Sequence, residues 1–585
     1  MTPPAAAASA TGPARRLREE AAQLVLLTRH FFDRLFLNDV VNFEDQMKER
    51  LIAVLAVLAV AVGWSSQVVL FGYNFTPDVN ISWLEKNYVF IVIMIIFGIV
   101  TLLEWEMLFL DRRDFLTLMP LPIRMRTIFA AKLTSFVVFI GLFSAAMNSL
   151  SCGWFALYLT QWRSASPLFF VRTVLAHLAS AFAACFCVFF ACVLVHFLIM
   201  AVLPPAAYRR VSLVVRFLLI ALFVFLLLSF LVEPAIVSRS LPSLAKLKDH
   251  GAPFLFRLPS LWFVGLYEVL LGTKDPAFRR LAGTAVLALA LSLGAFVLAC
   301  ALSYLKHARV ALEAAKRRRP LFRLSEMAGG LFQRIVLRSP EERAVAGFFS
   351  RTVRTSVRHR TMLTNYAAVA AGFVMLLAVA NRQLLRSLTP ENAFFLAQPL
   401  VLLAILLAAL RVVVCVPASL ECNWIFRTAE SPRRGRYVSG LKKAVFFKWL
   451  LPAAVLIFLF HLWLWPGWQA ALGHALFGLG AAAVGMEALF FRFDRIPFAS
   501  AYVPGKFRLQ SRGILFVGGL AGLLAALARL EKWLLESPSR LWVFMAVSAA
   551  GWALLNAGSA LHLRKNPLVY DEQPEPAMIS LTGGD

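Results

Sequence analysis

Acidic side chains are scarce in this chain: 32 aspartates and glutamates stand against 59 lysines and arginines, and charged residues of either sign make up only 16% of its 585 residues. With 60% of positions hydrophobic and a mean hydropathy of +0.73, a soluble multidomain protein is excluded and a membrane protein is indicated. Cysteine is also sparse. Seven are present, most of them inside apolar runs, so they read as small buried hydrophobes with no disulfide framework. The phosphate-cradling pattern GxxxxGK(S/T) is missing as well. Its nearest approach, Pro504-Gly505-Lys506, has Ser500 at the first glycine position and Phe507 after the lysine. Neither GxSxG nor HExxH occurs, which removes the signatures of two large hydrolase classes. The first twenty residues carry their charges after a small-residue stretch and do not resemble a cleavable signal.

What the chain has in abundance is long apolar runs. About 20 residues suffice to cross a bilayer. That rule predicts twelve segments, near 51–72, 88–109, 128–150, 170–203, 213–233, 281–304, 366–381, 394–416, 444–465, 469–490, 513–528 and 541–561. The fold class expected is an all-α integral membrane protein of about twelve spans in two six-helix halves. Run 170–203 exceeds one straight crossing, and 513–528 is short. Lysine and arginine concentrate in alternate connections, which orients both termini inward. The cluster Lys316 to Arg319 in the central connection reads as an anchor against anionic lipid. The expected organisation is a cytoplasmic tail with an interfacial helix (1–50), a first half (51–304), a basic linker with a second interfacial helix (305–365), a second half (366–561) and a cytoplasmic tail (562–585). The outer connection 234–280 is expected to lie partly in the interface.

Six spans followed by six invite a search for duplication. Leu24, Leu27, Phe31 and Leu35 fall on one helical stripe before the first span, as in a helix lying flat on a membrane. AGFFSRTVRTSVRHR occupies the same place before the seventh. Phe31 precedes Glu106 by 75 residues and Phe348 precedes Glu421 by 73, each glutamate closing a second span. Two inner loops follow. LDRRDFLTLMPLPIRMRTIFAAK (110–132) and ECNWIFRTAESPRRGRYVSGLKKAVFFK (421–448) both combine acidic residues, proline, clustered arginines and a lysine leading into the next span. Pro120 and Pro122, or Pro432, end one helix and let another begin.

At these residues the chain resembles the membrane subunits of type-2 ATP-binding-cassette (ABC) export permeases, in which an interfacial helix precedes the first span and the first inner loop docks on a separate ATPase. The similar pattern is Glu106, Asp111 and Asp114, then Leu121-Pro122-Ile123, then Arg124, Arg126 and Lys132. The matching positions of the second loop are Glu421, Arg427, Glu430, Pro432, Arg433 and Arg434, without the Leu-Pro-Ile turn. The resemblance implies a permease moving an unidentified hydrophobic or amphiphilic substrate. It also implies cytoplasmic ATPase partners, two in number, that hold the ATP and magnesium, and a place in a bacterial inner membrane. No cofactor, metal or catalytic residue is expected in this chain, and no nucleic-acid partner.

Ionisable residues within spans are costly and mark function by default. Glu104 and Glu106 are expected to pair with Arg112 or Arg113, and Glu487 with the arginines that follow it, Arg492 and Arg495. His177, His196, His461 and His474 read as core histidines. Two other classes compete with the exporter. An ion-coupled six-plus-six secondary transporter would need deep acidic residues, and a lipid-modifying membrane enzyme would need outer-face acidic pairs.

Overall fold

The computed structural model describes residues 13–36, 44–72, 82–103, 118, 120–121, 123–163, 166–232, 257–313, 335–380, 393–418, 423–428, 430–465, 467–499 and 509–570. Among these, sixteen helices form. They are α1 (Pro13–Phe36), α2 (Glu44–Gly72), α3 (Ser82–Leu103), α4 (Met125–Arg163), α5 (Pro167–Val202), α6 (Pro205–Val232), α7 (Pro259–Leu271), α8 (Pro276–Glu313), α9 (Pro340–Thr355), α10 (Val357–Ala380), α11 (Ala393–Cys415), α12 (Asn423–Thr428), α13 (435–464), α14 (Trp468–Leu489), α15 (Leu509–Leu535) and α16 (Pro538–Lys565). No sheet forms among the described residues. A lone bridge joins Arg495 to Val569.

Nine of these helices are long and apolar enough to cross a membrane, over the described residues: α3, α4, α5, α6, α8, α11, α13, α14 and α16. The other three predicted segments lie in α2, α10 and α15. All three are helical, and among the described residues Leu55–Leu70 of α2 is a shorter apolar helix. Run 170–203 is one unbroken helix, α5. Its 36 residues extend about 54 Å, so it must tilt or protrude beyond a hydrocarbon core of about 30 Å.

Two compact units divide the chain. Unit 1 comprises Met1–Ser212 and Leu226–Arg317, and unit 2 comprises Leu213–Phe225 and Arg318–Asp585. In unit 1, α5 packs against α3, α4, α7 and α8 through a face that includes the small residues Ala176, Ala181 and Ala184. The aromatic core between these helices holds Phe90, Phe97, Phe155, Phe263 and Tyr267, all essentially without solvent. Here α7 departs from expectation. Most of its 13 residues are buried in this core, not laid along an interface, because it is apolar on nearly every side and Gly265 lets it close on α8. A Cβ at Gly265 would stand 2.4 Å from Leu281.

Unit 2 centres on α11, α13 and α14, with α15 and α16 packed alongside. Within α13 the backbone widens into a π turn at Phe446–Leu450, where the Leu451 N–H reaches back to the Phe446 carbonyl. Pro452 supplies the reason. Its ring would clash with the carbonyl four residues earlier, and one wider turn relieves the conflict.

Candidate functional site

In unit 1, the loop leading to α4 turns at Leu118 to Ile123, with the Leu121 N–H on the Leu118 carbonyl and the Ile123 N–H on that of Leu121. The turn delivers α4 beneath α1. Leu27 and Phe31 of α1 bury against Leu118, Ile128 and Ala131, and Lys132 stands over the Phe31 ring, 5.2 Å from its centroid. Arg124 pairs with Glu20 at 2.6 Å on the open side, where a pair this exposed contributes little. Pro120, Leu121, Arg124 and Arg126 remain exposed. On the far side of α1, Val25 and Leu26 are exposed too, as a helix resting on lipid requires. Of the predicted contact residues in this elbow, Glu106, Asp111, Asp114 and Pro122 lie outside the described residues. The same is true of Glu104, Arg112 and Arg113, the pairing expected at the end of the second span.

Unit 2 repeats the relation with different chemistry. Ser339 caps α9 by accepting from the Glu342 N–H at 3.2 Å, Pro340 takes the first helical position, and Glu342 reaches back to the Arg338 N–H at 2.9 Å. The same carboxylate accepts from Lys443 at 2.7 Å and from Ser439 at 3.0 Å, both on α13. Gly440 makes this approach possible, since a Cβ there would sit 2.6 Å from the Glu342 carbonyl oxygen. Of the adjacent phenylalanines Phe31-Phe32 and Phe348-Phe349, Phe31 and Phe349 are the buried members.

The second elbow itself runs from α12 to the start of α13. Arg434 donates to Glu430 at 2.7 Å, the Ser431 N–H reaches the Tyr437 hydroxyl at 3.2 Å, and the Tyr570 hydroxyl touches the Phe426 carbonyl. Burial, with Glu430 and Tyr437 nearby, raises the Tyr570 phenol to about 12. Trp424, Ile425, Arg427, Pro432 and Arg433 are exposed, while Glu421 lies outside the described residues.

The inner loop after the tenth predicted span is no exposed turn in its described part. Phe498 is fully buried with φ 61°, a backbone region that costs an L-residue about 1–2 kcal/mol. Two hydrogen bonds hold it there, from its N–H to the Val414 carbonyl and from the Ala418 N–H to its own carbonyl. Its ring stacks on Phe349 and meets the edge of His359. Residues 500–508 of that loop lie outside the described residues.

Among the described residues two Lys–Glu ion pairs and one histidine–glutamate hydrogen bond are buried inside the units, and none was legible as a pair in the sequence. Lys86 of α3 donates to Glu268 of α7, whose second oxygen accepts from Thr273 at 2.7 Å. Lys442 of α13 donates to Glu487 of α14 at 2.5 Å and to Ser559 of α16 at 3.1 Å. Glu487 therefore pairs across helices, not with Arg492 or Arg495 as expected. The third pair joins His474 of α14 to Glu531 of α15, with the His461 ring 4.4 Å from that of His474. Long sequence separations concealed all three. Among the described residues no group of histidine, cysteine or carboxylate side chains has the arrangement of a metal site.

Helix length and hydropathy make the chain a multi-pass integral membrane protein. Comparison with protein-family models, curated proteins and solved structures finds no match.

Proposed function

We propose that this chain is the permease of an ATP-driven exporter, with both membrane halves in one polypeptide and the nucleotide sites on separate cytoplasmic subunits. Counting α2, α10 and α15 as crossings gives two six-span halves with both termini inside. One observation carries the proposal: in each unit an amphipathic helix is packed onto the first turns of the helix that follows a proline-bearing basic elbow. That joint makes a stiff lever. A push on Arg124 and Arg126, or on Pro432, Arg433 and Arg434, displaces α4 or α13 together with its interfacial helix. Glu106, Asp111, Asp114, Pro122, Lys132, Glu421, Arg427 and Glu430 complete the proposed contact set, with ATP and magnesium held by two partner subunits. The membrane is the bacterial inner membrane. Purification from native membranes tests this: an ATPase co-purifies and transport stops on ATP depletion, whereas a solitary chain with ATP-independent transport defeats it.

A second reading has its own support. Glu268, Glu487 and Glu531 are buried acids of the kind an ion-coupled transporter uses. Uptake or efflux driven by an imposed proton gradient in liposomes holding this chain alone would favour it.

A further inference from the structure

Between α13, α14 and α16 of unit 2 lies a cavity of about 480 Å³. That is within the range of small-molecule sites, roughly 300–1,000 Å³. Ser439, Lys442, Lys443, Glu487, Ser548 and Asn556 are its polar lining residues, and Phe446, Leu479, Met545 and Trp552 are among the apolar ones. The π turn of α13 begins in this wall, and such turns recur at functional sites. Phe447, Trp552 and Asn556 are exposed, so the cavity is reached from the flank of the unit.

The Lys442–Glu487 pair in its wall has unused bonding capacity. Lys442 spends two of its three protons, on Glu487 and Ser559. Among the described residues Glu487 Oε1 accepts no hydrogen bond and the Asn556 amide makes none. A cation and an anion therefore stand side by side, each able to take one further partner of opposite sign. A purely anionic head would gain Lys442 but face the Glu487 charge, and a purely cationic one the reverse. A zwitterion satisfies both.

We infer that this cavity binds a zwitterionic phospholipid of the inner leaflet, its phosphate toward Lys442 and Lys443, its ammonium toward Glu487, and its acyl chain along Phe446, Met545 and Trp552. The inference adds a substrate class to the proposed exporter. It rests on the inward placement of Lys442 and Lys443 and involves no ATPase, so either claim can fail without the other.

Native mass spectrometry of the purified chain supplies the test, with phosphatidylethanolamine and phosphatidylglycerol of equal chain length as competing probes. The expected result is preferential retention of phosphatidylethanolamine by about tenfold, equivalent to about 1.4 kcal/mol. Ala483→Phe, which fills the apolar wall, abolishes retention of both lipids. Lys442→Met with Glu487→Leu keeps a bound lipid and loses the preference. Equal retention of the two lipids by the unaltered chain, or unchanged retention after Ala483→Phe, overturns the inference. A phosphatidylethanolamine carrying a diazirine on its acyl chain keeps the test independent of variant folding. On irradiation it labels the peptide containing Met545 and Trp552, and labelling elsewhere alone refutes the site.

Discussion

Lys443 donates to Glu342 at 2.7 Å, and this bond ties the interfacial helix α9 to the first turns of α13. Glu342 gathers three further ligands in the same place: its own cap Ser339 through the backbone, Ser439, and the Arg338 N–H. Removing it leaves part-buried donors without their acceptor. Glu342→Ala is expected to lower stability by about 1–3 kcal/mol, read as an earlier thermal unfolding transition of the detergent-solubilised chain. Hydrogen exchange should rise over 340–355 first.

Packing at the same joint gives a second expectation. Gly440→Ala places a methyl 2.6 Å from the Glu342 carbonyl oxygen, with backbone atoms on every near side. Backbone cannot turn aside as a long side chain can, so α9 must shift, at a cost of about 1–3 kcal/mol. Gly435→Ala, where a Cβ meets nothing within 4 Å, serves as the control and should leave unfolding unchanged.

The joint is also sensitive to acid. Burial alone pushes the Glu342 carboxyl upward, but hydrogen bonds from Lys443 and Ser439 and the Lys443 charge outweigh it and hold the group below its ordinary 4.5. A carboxyl depressed by folding stabilises fully above its unfolded value, and that contribution is lost as pH falls through the folded one. Stability owed to Glu342 is therefore constant from neutral pH down to about 5 and declines only below 4.5. Glu342→Gln should flatten that acid decline, measured as unfolding temperature against pH.

Lys442 and Glu487 predict a non-additive pair. Lys442→Met strands a buried carboxylate and should destabilise by about 3–5 kcal/mol, while Lys442→Met with Glu487→Leu should recover most of the loss. Had Glu487 been held by Arg492 or Arg495, the single substitution would be mild and the double one no better.

The first elbow relies on an aromatic ring where the second relies on a carboxylate. Phe31→Ala removes a side chain 2% exposed, together with the platform beneath Lys132. The expected loss is about 3–5 kcal/mol. Phe31→Leu should restore most of the packing without the cation–ring attraction, so a residual deficit of about 0.5–1 kcal/mol in that variant measures the latter.

Features carried by local periodicity were legible in the sequence. The apolar runs marked every long helix, and the stripe through Leu27 and Phe31 marked the buried face of α1. Nine of the twelve predicted spans reappear as long apolar helices among the described residues, and the other three fall on the helices α2, α10 and α15. Pairings set by tertiary contact were invisible: Lys86 and Glu268 are 182 residues apart, and Lys442 and Glu487 are separated by 45. Glu342 was the near miss. The Ser339-Pro-Glu-Glu342 pattern announces a helix start, but only the fold shows that its glutamate also binds the neighbouring helix.

Whether the elbows are handles for a motor is tested most directly by cross-linking in working membranes. Arg126→Cys and Arg433→Cys, both at exposed positions, are reacted with a short bifunctional thiol reagent while transport proceeds. Capture of an ATP-hydrolysing cytoplasmic subunit at both positions, with loss of capture when the cysteine is moved to Trp463 at the predicted outer end of α13, is the predicted result. Failure to capture such a subunit at either elbow, in membranes where transport continues, contradicts the account.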